Sequence, residues 1–163
     1  MKKRYILAFF LAAGAGTLLH FLYDWLPVPL VGLFAPVNES VWEHLKLLFW
    51  NVLAAGFVLC RKKPDAQRAW SGFLAALLLM PLGLTGLYYL LAAGFGVTAL
   101  WIDLALYYLT LAGGFWLAYQ AEKSGRWSFL SGVMVLLVGL YGAALILFTL
   151  APPELPIFIA PGA

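Results

Sequence analysis

Two histidines stand in this chain of 163 residues, His20 and His44, and each has carboxylates close by. His20 is followed four residues later by Asp24. His44 follows Glu39 and Glu43 in the stretch "NESVWEHLK", Asn38 to Lys46, which packs six polar groups into nine residues. One further carboxylate, Asp103, interrupts an apolar run. Imidazoles with carboxylates suit a divalent metal ion, Zn²⁺, Mn²⁺ or Fe. His20, His44 and one of Glu39, Glu43 or Asp103 would hold the ion and leave a position open for water. A second carboxylate, with Glu43 the first choice, would act as base. Asn38 or Lys46 would stabilise developing negative charge. Asp24 and Ser40 complete the polar lining of such a pocket. No His-x-x-x-His or His-Glu-x-x-His spacing is present, so only folding can bring these ligands together.

The elements that must position them are set by composition. The chain is 64% hydrophobic and 10% charged, with a mean hydropathy of +0.94. Soluble domains carry about 25% charged residues, so a surface this poor in charge does not face water all round. Apolar runs of 18 or more residues recur, each long enough to cross a hydrocarbon core of about 30 Å as a helix. The fold class is therefore an all-α integral membrane protein, one five-helix domain over 1–163. The spans are expected at about 5–26, 40–60, 69–93, 97–120 and 127–150, with a kink at Pro81 and a Pro-rich tail over 151–163. The start "MKKRYILAFFLAAGAG" has the plan of a signal peptide, but its apolar run continues to Leu26, so it is read as a first span that is retained.

Nine of the ten Lys and Arg fall in three short segments: "MKKR", "RKKPDAQR" and "EKSGR". With five spans these lie on one side, and basic loops stay cytoplasmic. The expectation is a multi-pass protein of the cytoplasmic membrane with its N-terminus inside and its C-terminus outside. The net charge of +3 is thus a topology signal and gives no reason to expect nucleic acid. Cys60 is the only cysteine, which excludes an internal disulfide and a thiolate metal cage. Glycines in "GAG" (Gly14–Gly16), "GLTG" (Gly83–Gly86), Gly113–Gly114 and Gly139/Gly142 offer small faces for helix packing. The aromatics Trp25, Trp42, Tyr88, Tyr89 and Trp101 are read mostly as an interfacial belt.

This topology gathers both histidines and five of the seven acidic residues at the outer side, leaving Asp65 and Glu122 to cytoplasmic loops. At 1.5 Å per residue, His20 and Asp103 lie roughly 9 Å below their helix ends, and Glu43 and His44 about 5–6 Å. His20 and Asp24 share a helix face, as do Glu39 and Glu43, and Ser40 and His44. Ordinary helix chemistry competes for part of this set. Ser40 to Glu43 fits the S-x-x-E capping box, and Asn38 is itself a good cap. Lys46 has a partner in Glu43, or room to snorkel. Capping explains neither His20 nor Asp103, whose carboxylate costs about 2.5–3.5 kcal/mol below the interface unless partnered.

The run "HFLYDW…LVGLFAPVNESVWEHLKLLF", His20 to Phe49, closely resembles the signature of a family of small, uncharacterised multi-pass membrane proteins of bacteria and archaea. The tail "FTLAPPELPIF", Phe148 to Phe158, is similar to that family's second motif. There the tail continues into a "DP…TG" segment, where this chain reads "IAPGA". The resemblance implies membership and no mechanism. Residue by residue it points to His20, Asn38, Glu39, Ser40, Glu43, His44 and Lys46.

Three functions fit these residues. The first is metal-dependent hydrolysis of a lipid, a lipid-linked substrate or another small molecule at headgroup depth. The second is a small transporter or ion-coupled accessory subunit, since intramembrane carboxylates and histidines mark ion paths. The cytoplasmic halves of the helices are too apolar to continue such a path, and five spans would call for a homo-oligomer. The third is a structural or regulatory subunit held by an internal polar lock. The semi-rigid tail "PPELPIF" is expected to fold back over the pocket.

Overall fold

The computed structural model describes residues 2–161. Five helices are long and apolar enough to cross a membrane, and among the described residues all regular structure is helical. Helix α1 is Lys2–Trp25. It stops at Pro27, and the short α2, Pro29–Gly32, starts where Pro29 presets a helical φ at N1. Helix α3 is Val41–Cys60 and α4 is Ala66–Tyr89, continued by a π-helical turn, Leu90–Gly94. Helix α5 is Leu100–Ser124, closed by Gly125 in the left-handed region at φ +67. A 3-10 turn, Ser128–Leu130, leads into α6, Ser131–Leu150, and a last 3-10 turn covers Pro156–Phe158. The expected spans are thus recognisable with shifted ends. Helix α5 shifts at both ends: its start is set by Gly96 and the extended residue Ala99, and its end runs on to Ser124.

Helix α4 is the hub. It packs on α5 most extensively and also on α3 and α6, while α1 lies against α3 and α5. Two glycines allow the α4–α5 approach. A Cβ at Gly72 would lie 2.4 Å from the Ala118 carbonyl oxygen, and one at Gly114 would lie 2.1 Å from Met80 Sδ. Gly16 and Gly142 are also close to neighbouring helices. Gly14, Gly83, Gly86, Gly113 and Gly139 meet nothing within 4 Å, so most of the glycine faces expected to pack are open within this chain. Gly56 and Gly72, which stand alone in sequence, pack closely alongside Gly16, Gly114 and Gly142.

The two ends of the bundle are polar in different ways. At the end bearing the basic segments, Glu122 is not in a loop but in the last turn of α5, and it is buried. It accepts from the Tyr5 hydroxyl and pairs with Lys63 at 2.5 Å. Arg68 donates to the Glu122 and Lys123 carbonyls, closing the C-terminus of α5 against α4. The opposite end carries the 26–40 connection, the N-termini of α3 and α5, and the tail.

Candidate metal centre

Helix α3 begins where Ser40 Oγ accepts from Glu43 N at 3.4 Å. Asn38 Oδ1 accepts from Ser40 N at 2.9 Å, so Asn38 supplies the turn before the helix. Only half of the expected capping box forms. The Glu43 carboxylate does not return to Ser40 N but accepts from Val37 N at 2.9 Å, from Lys46 Nζ at 2.6 Å and from Thr149 Oγ1 at 3.1 Å. Lys46 Nζ also donates to the carbonyls of Gly32 (2.7 Å) and Ala35 (3.3 Å). Both side chains are buried, Lys46 at 0% exposure and Glu43 at 3%. The roles expected for these two at a pocket therefore do not match where they lie: burial and full bonding hold them inside the bundle, tying 32–37 to α3 and α6. Asn38 is likewise occupied with Ser40, Ser40 is buried as the cap, and Asp24 is exposed at the end of α1.

The same fixed turn carries Glu39 to the two histidines. Glu39 Oε2 is 3.4 Å from His44 Nε2, and Glu39 Oε1 is 4.0 Å from His20 Nε2. The imidazole centroids are 5.2 Å apart. One donor atom from each of His20, Glu39 and His44 lies within 4.8 Å of the others. Tetrahedral zinc with ligands at about 2.0–2.1 Å places those ligands about 3.4 Å apart. The three groups are thus within small side-chain adjustments of a coordination shell. His44 Nδ1 lies 2.8 Å from the Ser40 carbonyl oxygen. A carbonyl only accepts, so Nδ1 donates to it and Nε2 is left facing Glu39. His20 Nδ1 is buried with no partner among the described residues.

These three line a cavity of about 310 Å³ between α1, α3, α4 and α5. Asp103 lines it too, on α5, facing the cluster without joining its triad. The remaining wall is mostly apolar or aromatic, including Phe21, Leu47, Leu84, Leu104 and Tyr107. The tail turns back toward the same end. Phe158 packs on Trp42 with centroids 4.9 Å apart and on Phe148 at 5.5 Å, and Pro161 reaches the cavity wall. Trp42 is consequently half-buried against the core and the tail, whereas Trp25 and Trp101 are exposed. The sequence reading missed the tyrosines of α5 in this wall. The Tyr107-Tyr108 pair lies one turn beyond Asp103, a spacing that would have placed at least one of them on its face.

The fold and the cluster define a small multi-pass membrane protein with a largely apolar cavity that carries a metal-capable polar cluster near one end of its bundle. The chain belongs to DUF6512, a family of unknown function whose sequence model matches residues 1–161. No curated protein and no solved structure matches the chain.

Proposed function

We propose that the protein is a metal-dependent hydrolase of the cytoplasmic membrane, acting on a lipid or lipid-linked substrate. The observation that carries the proposal is the triad of His20, Glu39 and His44, whose donor atoms converge on a cavity that also holds Asp103. Three protein ligands with an open fourth position are the pattern of catalytic rather than structural metal sites. A divalent ion there would polarise a bound water. Asp103 is the carboxylate free to act as base, because Glu43 is fully bonded elsewhere. It would take a proton from an attacking water and return it to the departing alcohol oxygen.

The basic segments support an N-terminus in the cytoplasm. That orientation turns the cavity outward, at the depth of lipid headgroups in the outer leaflet.

Elemental analysis of the purified protein tests the reading, wild type beside His20→Ala and His44→Ala. About one equivalent of Zn, Mn or Fe in the wild type, lost in both variants, is the expected result. A wild type without metal would sink it. That outcome favours the second reading, a structural or regulatory subunit, for which the buried Glu43–Lys46 lock is the specific support.

A further inference from the structure

The cavity wall is asymmetric. On the side of α3 and α4 its residues are inside the protein: Val41, Leu47 and Leu84 are buried. On the side of α1 and α5, lining residues keep much of their surface exposed: Phe21 43%, Leu104 49% and Leu100 74%. These positions lie toward the ends of helices long and apolar enough to cross a membrane, where that exposure would face the bilayer. The gap between α1 and α5 is shut further down. A Cβ at Gly16 would lie 2.0 Å from the Tyr107 hydroxyl, and Thr17 Oγ1 and the Tyr108 hydroxyl are hydrogen-bonded at 3.0 Å. The slot therefore has a closed floor, an apolar side open to the bilayer, and His20, Glu39, His44 and Asp103 at its polar end.

Its dimensions limit what it takes. From Leu100 to Tyr108 is eight residues, about 12 Å along α5. A cavity of about 310 Å³ at that length suits one hydrocarbon chain of medium length.

We propose that the slot between α1 and α5 binds a single-chain amphiphile with an oxyanion head, which slides in sideways from the bilayer. The head lies at His20, Glu39 and His44, and the chain lies against Phe21, Leu100 and Leu104. The preference for an oxyanion rests on the metal reading above. Glu39 and Asp103 alone repel an anion, whereas a divalent ion with an open position accepts an oxygen ligand. The single chain and the sideways route rest on the shape of the slot and stand apart from the metal.

The test is ligand-induced thermal stabilisation of the full chain in phosphatidylcholine nanodiscs, with metal content measured on the same samples. The probes are dodecyl phosphate, inorganic phosphate, dioleoyl phosphatidic acid and dodecanol. Dodecyl phosphate is expected to bind at least about tenfold more tightly than inorganic phosphate or the two-chain lipid. Leu104→Trp, which plugs the slot, should weaken dodecyl phosphate by a similar factor while metal content holds. If Leu104→Trp loses metal through misfolding, Phe21→Trp decides the point at the other rim. His20→Ala should abolish dodecyl phosphate binding and spare dodecanol. Inorganic phosphate binding as tightly as dodecyl phosphate overturns the slot, as does full binding in a metal-replete Leu104→Trp or Phe21→Trp protein. A wild type without metal removes the oxyanion preference, and dodecanol binding blocked by Leu104→Trp would then still support the slot.

Discussion

Lys46 Nζ lies 2.6 Å from Glu43 Oε2, and neither side chain reaches the surface. The pair is the knot of the site end of the molecule. Through it the backbone at Gly32, Ala35 and Val37 is tied to α3, and Thr149 ties α6 to the same carboxylate. Glu39 lies two residues beyond Val37 and one before the Ser40 cap, so its position against the histidines depends on this knot. Lys46→Met leaves a buried carboxylate uncompensated and should destabilise by about 3–5 kcal/mol. The double variant Glu43→Leu/Lys46→Leu removes both charges and should cost less than either single change. Thermal unfolding in detergent reads both values. A double variant as damaging as the sum of its singles would mean the pair is not coupled as described.

The two imidazoles lead to a pH dependence. Metal ligands bind deprotonated, so protons compete with a bound ion at both rings. Affinity for Zn²⁺ should fall as pH is lowered, toward about tenfold per pH unit for each histidine that protonates in the metal-free protein. Titration with a competing chelator across pH 5–8 measures the slope. A flat profile would show that the imidazoles are not ligands.

Much of this was legible in the sequence, for identifiable reasons. Five spans follow from apolar length alone, because a bilayer imposes that length whatever the packing. The gathering of His20, Glu39 and His44 at one end follows from the order of the spans. Rotation about each helix axis does not follow, and it decides the rest. Glu43 and His44 are adjacent in sequence, so they point about 100° apart on α3. One turns into the bundle toward Lys46 and Thr149, the other to the cavity. The polar density of "NESVWEHLK" read as one pocket, and folding divides it into a lock and a ligand pair. Glu122 was misplaced for a different reason. The apolar run points to a helix end at Gln120, while pairing with Lys63 and Tyr5 makes one more turn worth forming.

The basic end should behave as an independent unit. Glu122→Gln keeps the shape but weakens the pairing to Lys63 and Tyr5 across α1, α4's leading loop and α5. A loss of about 1.5–3 kcal/mol is expected, the range for a hydrogen bond to a charged group. Metal content should not change, since Glu122 sits at the opposite end of the bundle from His20. Loss of metal in a folded Glu122→Gln protein would contradict that separation.

The glycines give a paired prediction that separates packing from propensity. At Gly72 an added methyl has no room, because the Ala118 carbonyl oxygen would be 2.4 Å away and is backbone. Gly72→Ala must push α4 from α5, and overpacking of that kind costs about 1–3 kcal/mol. Gly83 lies on the same helix with nothing within 4 Å of an added Cβ. There the change to alanine meets open space and gains helix propensity of up to about 1 kcal/mol. Thermal unfolding of the two variants should therefore move in opposite directions from the wild type. If Gly83→Ala destabilised as much as Gly72→Ala, the open face at Gly83 would have to be a contact with a second copy of the chain. Cross-linking in the membrane would show that dimer directly.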